Sequence, residues 1–267
     1  MLDAISDTEG HGGLHLSESG PAWSCSQERN WFLEQAYPGH AQHRHAIGAR
    51  IAGPLDIETL RAALACECSR HDVFQRGFGA GTKAAAGSPT LTIDSIAPCP
   101  ADARAHWIAE RSNAAFSPAG EPMLRAHLLR IAADEHLLLL VAHRYLLDED
   151  GLLLLLGDIA ASLAGTLPAG PASPRFTEFV RAQRNNPQQA ELITHWRTRL
   201  AGAAPVLELP IDHPRPAIQA YGGASLPVDL PAGLTARLHN LAKRHGVDLQ
   251  AVLLAAFAIL LQRHSGQ

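Results

Sequence analysis

The run Leu137-Leu-Leu-Leu-Val-Ala142 is apolar at every position and gives way at once to His143 and Arg144. A strand with apolar side chains on both faces has to be covered on both. This one segment therefore predicts a mixed α/β fold in which helices pack against a sheet. The preceding apolar run, 124–131, is separated from it only by Ala132-Ala-Asp-Glu135, which makes the two neighbouring antiparallel strands. Residues 45–52 and 90–96 alternate and read as further strands. Helices are expected over 27–35, with Trp31, Phe32 and Leu33 at the centre, and over 103–114, with Trp107 on the apolar side. Between them, Asp56 caps a helix running to about residue 69, in which Ile57, Leu60 and Leu64 share a stripe. A further helix, 151–164, is entered through Asp148-Glu-Asp150, carboxylates that a helix start favours through its dipole and free N–H groups.

Residues 165–175 are rich in Gly, Pro and Ala and read as a connection. Helices over 176–184 and 188–200 follow, then a proline-punctuated extended stretch over 205–216 and a short strand over 226–230. The last two helices are expected over 234–245 and 249–263. In the second of these, Leu249, Val252, Leu253, Ala256, Leu260 and Leu261 cover much of the circumference. Such a helix needs cover on every side, so an exposed apolar patch is expected where the chain stops. Residues 1–20 show no periodicity, and there is no internal repeat.

Composition narrows the functional classes. With 46% hydrophobic residues and 18% charged, against about 25% in an average domain, the 267-residue chain can bury a large core. The formal charge is −4, and no stretch supplies the basic face that nucleic-acid binding requires. Asp3, Asp7 and Glu9 stand where a secretory signal would need basic residues, and the longest apolar stretch, 251–261, is short of the roughly 20 residues that span a bilayer. The expectation is a cytoplasmic protein without a membrane segment. Cys25, Cys66, Cys68 and Cys99 show neither a disulfide framework nor zinc-site spacing and read as buried reduced thiols, with Cys66 and Cys68 on different helix faces. Trp31, Trp107 and Trp196 read as core.

Several motifs fail on spacing. Gly77-Phe-Gly-Ala-Gly-Thr-Lys83 resembles a phosphate loop, but Thr82 separates the lysine from the last glycine and no helix follows. His40, His43 and His45 lie close together without carboxylate or cysteine company in the sequence, so no metal site is expected. The turn Val141-Ala-His143-Arg144-Tyr-Leu-Leu-Asp148-Glu149-Asp-Gly151 is different: an apolar strand ends in polar side chains and leads to a helix that starts with carboxylates. Chemistry alone leaves two readings open. Either His143 caps the strand end and Arg144 pairs with Asp148 or Glu149, or the turn is an active site.

Other segments settle the direction. Ser24-Cys-Ser-Gln27-Glu-Arg29-Asn-Trp31-Phe-Leu33 resembles the opening motif of the condensation domains of nonribosomal peptide synthetases, relatives of chloramphenicol acetyltransferase. Arg70-His71-Asp72 through Phe78 is similar to their second motif, and Ala115-Phe116 through Pro122-Met-Leu124-Arg125 to the segment entering their central strand. His195-Trp196-Arg-Thr-Arg-Leu200-Ala-Gly202 and Leu209-Pro210-Ile-Asp212-His-Pro214-Arg-Pro216 follow the family pattern almost residue for residue. The resemblance runs from about residue 22 to 267. It implies a chloramphenicol acetyltransferase-like two-layer sandwich lobe over 22–170, after a flexible leader over 1–21. A linker with helices and an extended segment over 171–225 leads to the start of a truncated second lobe over 226–267.

The family's core motif is His-His-x-x-x-Asp-Gly, and this chain has His143-Arg144-x-x-x-Asp148-Glu149. The resemblance implies that His143 orients the loop, that Arg144 stands where the amine-side His belongs, and that Asp148 holds the turn. Glu149 replaces a Gly that leaves room there, and Arg29 and Arg125 are candidates for the substrate tunnel wall. An arginine cannot act as a base, because its guanidinium stays protonated. The expected function is therefore a degenerate condensation-type domain that recruits a protein. The alternatives are an active acyl- or aminoacyl-transferring domain and a non-functional fragment. The implied partners are carrier-protein or adenylation domains of a synthetase and a tailoring oxygenase. No cofactor is expected in the chain itself, since a phosphopantetheine arm arrives on a carrier protein.

Overall fold

Four strands form one sheet in the order β1-β4-β3-β2, with β1 spanning Arg44–Ala52, β2 Leu91–Ser95, β3 Leu124–Ala132 and β4 Glu135–His143. The computed structural model describes residues 23–75, 89–96, 99–116, 122–166, 170, 174–214 and 226–267. The expected leader, the loop at 77–88 and its phosphate-like motif lie outside them. The apolar run of β4 sits inside the sheet, antiparallel to β1 and to β3, whereas β2 runs parallel to β3. Leu138, Leu140 and Ala142 point to one face, where they meet Leu60, Leu64 and Cys68 of helix α2 (Ile57–Arg70) and Leu152, Leu155 and Ile159 of α4 (Glu149–Leu163). Leu139 and Val141 point to the other, against Trp23, Met123, Tyr145 and Trp107 of α3 (Ala101–Asn113). Both faces are covered, as an all-apolar strand requires.

Local chemistry sets the helix starts. Asp56 accepts the N–H groups of Glu58 and Thr59, as expected of a cap. Helix α1, Cys25–Ala36, opens on a capping box in which Ser24 Oγ accepts the Gln27 N–H and Gln27 Oε1 accepts the Ser24 N–H, both at 3.1 Å. The Ser-x-x-Gln of the opening motif is thus a helix-start device. Helix α5, Phe176–Arg184, belongs to the same unit: Asp72 accepts from the Phe176 and Thr177 N–H groups, and Arg184 donates to the Trp23 carbonyl. This first unit runs to Asn186, past the boundary expected at 170.

The second unit, from Pro187, holds α6 (Gln189–Leu200), α7 (Ala232–His245) and α8 (Leu249–Ser265). Gly246 ends α7 in the left-handed region at φ 64°, and Asp248 caps α8 through the Ala251 N–H. No residue of α8 is buried, and Leu253, Leu254, Phe257, Ile259 and Leu260 are exposed, which is the patch expected of this helix. Among the described residues no single helix is long and apolar enough to cross a membrane. Three expectations need correction. Residues 226–230 form no strand, because no strand among the described residues offers them a ladder and Leu226 and Val228 are exposed. Trp196 is not core: it is 57% exposed on α6, a helix with no buried residue. Among the thiols only Cys68 is buried, and burial, with Glu67 beside it, pushes its pKa up to about 12. Cys25 and Cys66 are exposed.

Leu140, fully buried at the sheet centre, should cost about 2–5 kcal/mol when cut to Ala. Leu254→Ala on the exposed face of α8 should change stability by no more than about 0.5 kcal/mol. Paired urea denaturation curves check both.

Candidate functional site

The C-terminal end of β4 brings its polar side chains against α1 and the short 3-10 turn Ala41–His43. His143 is the last residue of β4 and pairs across the sheet with Arg44. Its carbonyl accepts the N–H groups of Leu146 and Leu147, which turns the chain towards α4. Asp148 then caps that helix, accepting the Gly151 N–H at 2.8 Å. A Cβ at Gly151 would stand 3.1 Å from both Asp148 Oδ1 and Leu147 Cδ2, so a side chain there would require these two to shift by a few tenths of an ångström.

Beneath the turn lies a carboxylate that sequence reading missed. Glu34, buried on α1, takes the Gly39 N–H on Oε1 at 2.9 Å. Its Oε2 lies in hydrogen-bond contact with His43 Nδ1 and 3.3 Å from His143 Nε2. The other ring nitrogens are also engaged: Tyr145 N–H donates to His143 Nδ1 at 3.1 Å, and the Gln42 side-chain amide donates to His43 Nε2 at 3.1 Å. The Tyr145 N–H makes His143 Nδ1 an acceptor and the Gln42 amide makes His43 Nε2 one, which leaves a proton on the nitrogen of each ring that faces Glu34. Burial is the larger influence on His143 and pushes its pKa down to about 4, against the pull of Glu34. Burial works to raise the pKa of Glu34, but the Gly39 N–H, His143 and His43 outweigh it and hold the carboxyl below its usual range.

His43 thus has the carboxylate company that its sequence neighbours lack. Glu34, His43 and His143 are close enough to one another to surround a cation. The donor set does not fit one: a backbone N–H fixes His143 Nδ1 as an acceptor, so the nitrogen facing the cluster carries the proton and has no lone pair to give.

Arg144 is half-buried, and its backbone is clamped from both sides. Its N–H donates to the His43 carbonyl at 2.8 Å, and its carbonyl accepts from Asn30 Nδ2 at 3.0 Å. The guanidinium donates to the Gln42 carbonyl at 3.3 Å. The ion pair expected with Asp148 or Glu149 does not form among the described residues. Asp148 is turned to the helix start, and Glu149 is the first residue of α4 and exposed. For the same reason Glu149 does not crowd the turn. Arg125 donates to the carbonyls of Ala114 and Ala115 and lies over the Phe116 ring at 4.1 Å, and that ring stands 5.9 Å from the ring of His143. It borders the cluster. Arg29 is exposed on α1, with no hydrogen bond or ion pair to the described residues, and does not join it.

The chemical content of the turn follows. Arg144 is a permanent donor and both nitrogens of His143 are engaged, so neither residue of the pair 143–144 offers a free imidazole nitrogen, while the Asp148 carboxylate serves the helix start. The missed residues, Glu34 and Asn30, share with Gln27 the buried stripe of α1, at spacings of three and four.

Residues 19–267 match the family model described as Condensation domain. Phosphinothricin tripeptide synthetase PhsC of Streptomyces viridochromogenes is 34% identical over 262 residues, which cover 91% of this chain and 24% of the synthetase. Phosphinothricin tripeptide synthetase PhsB of the same organism is 33% identical over 259 residues, covering 90% of this chain and 22% of that synthetase. The chain thus spans no more than a quarter of the length of these curated relatives. Among solved structures, the X-domain from teicoplanin biosynthesis is similar with a TM-score of 0.75 and 26% identity, over 93% of this chain and 58% of that one. The complex of the X-domain and OxyB from the same biosynthesis gives a TM-score of 0.71 at the same identity and coverage.

The depressed pKa of His143 makes stability depend on pH. Unfolded, a histidine takes its proton below about 6.5, whereas the folded one resists until about 4, so the unfolded chain binds more protons between those values. Stability should be full above pH 6.5 and fall by about 3 kcal/mol as the pH drops to 4. Denaturation midpoints across that window should show the slope in the native protein and a shallower one in His143→Gln.

Proposed function

The chain belongs to the condensation-domain family, and from that premise we propose that it serves a nonribosomal peptide assembly line by binding another protein of that line, without forming amide bonds itself. The observation that carries this reading is Arg144. It stands at the position of the amine-side histidine and is held in place by Asn30, Gln42 and His43. A guanidinium there repels an ammonium nucleophile and cannot take its proton, and general-base effects are commonly worth about 10²–10⁴-fold. The similarity to the X-domain from teicoplanin biosynthesis, which forms a complex with OxyB, fits a recruiting role. The partners proposed for this chain are a carrier-protein or adenylation domain and a tailoring oxygenase. On this reading the chain holds no cofactor, and the phosphopantetheine arm belongs to the carrier protein.

A second reading, an active acyl- or aminoacyl-transferring domain, draws on relatives that are peptide synthetases and on the presence of His143 and Asp148. It requires a proton acceptor on the amine side, and the Arg144 guanidinium is not one.

Titration of the purified protein with a carrier-protein domain, an adenylation domain and a tailoring oxygenase of a nonribosomal peptide assembly line tests the proposal. A stable complex with one of them is expected, at an interface of about 1,200–2,000 Å². Affinity should stay within about threefold in Arg144→Ala, because truncation outside an interface contributes little to it. Failure of all three to bind, or loss of binding in Arg144→Ala, contradicts the reading.

A further inference from the structure

We propose that Glu34 and His43 are the positioning residues of the motif turn: the Glu34 carboxylate holds His43 and His143 in opposite tautomers and thereby fixes where Arg144 stands. The inference does not depend on whether the chain recruits a partner or condenses substrates.

Glu34 is 4% exposed, so a charge there has to be answered by hydrogen bonds. Oε1 receives the Gly39 N–H, and Oε2 faces one nitrogen of each ring. A ring nitrogen that accepts a hydrogen bond cannot also carry a proton. Gln42 donates to His43 Nε2, so the proton of His43 is on Nδ1; Tyr145 N–H donates to His143 Nδ1, so the proton of His143 is on Nε2. Each ring is addressed from both ends and has one permitted tautomer. The cluster carries a single negative charge answered by three N–H groups.

The consequence reaches Arg144 through the backbone. His43 and Gln42, on the turn that Glu34 holds, present the carbonyls that receive the Arg144 N–H and guanidinium. Asn30, one helical turn before Glu34 on α1, donates to the Arg144 carbonyl. Displacing the carboxylate would release the turn on which Arg144 leans, although among the described residues no hydrogen bond or ion pair joins Glu34 to Arg144.

Long-range proton–nitrogen correlation spectra of the histidine-labelled protein at neutral pH test this directly. His43 is expected as the Nδ1–H tautomer and His143 as the Nε2–H tautomer, with no exchange between forms. The opposite tautomer on either ring, or averaging between the two, overturns the proposal without any variant. So does added zinc that shifts both rings in the native protein. In Glu34→Gln, an amide offers N–H donors where a carboxylate offered only acceptors, so at least one ring should change tautomer. Exchange of the Arg144 and Tyr145 amides should then quicken by about tenfold or more, as local openings report, with the β3 amides unchanged. Glu34→Asp, which keeps the carboxylate, should retain both tautomers. Unchanged tautomers and exchange in Glu34→Gln would show that the carboxylate positions nothing.

Discussion

Strand β4 is shut off from water on both faces from Leu138 to Ala142, so this strand presents polar groups only at its two ends, Glu135-His136 and His143. His143 occupies the second of these and Arg144 follows it out of the sheet. Everything polar nearby has to be satisfied by the elements that close over the strand end, namely α1, the turn at 41–43 and the cap of α4. The motif turn is consequently a packed junction rather than a loop, and several of its residues have a structural duty. Asp148 caps, Gly151 allows close approach, and His143 bridges the turn to Glu34.

The balance at Glu34 explains how such a junction tolerates a buried charge. Desolvation alone would favour the neutral acid, but one backbone N–H and two imidazole N–H groups answer the carboxylate, and charge-assisted bonds of this kind are roughly twice as strong as neutral ones. The same bonds take His143 out of use as a proton acceptor. Arg144 beside it is a permanent donor, held by Asn30, Gln42 and His43.

Much of this was legible in the residues. The all-apolar run and the hairpin spacing place β3 and β4 together, the Asp56 and Asp148 caps mark their helices, and the strand ends where His143 and Arg144 begin. The carboxylate was not legible because α1 buries the unexpected stripe. Gln27, Asn30 and Glu34 face inward, whereas Phe32 is 60% exposed, so reading the helix by its apolar residues points the wrong way. His43 looked isolated because its partners lie nine residues before it and at the far end of another strand. The supposed strand at 226–230 failed for a related reason: local pattern proposes a strand, but a ladder needs a neighbour.

The account makes His143 and Arg144 a scaffold with no proton acceptor between them, and catalysis measures that claim most directly. Donor and acceptor carrier-protein thioesters incubated with the protein and followed by intact-protein mass spectrometry should yield no condensed product above the protein-free background. Amide product formed at a rate that depends on the protein concentration would contradict the account.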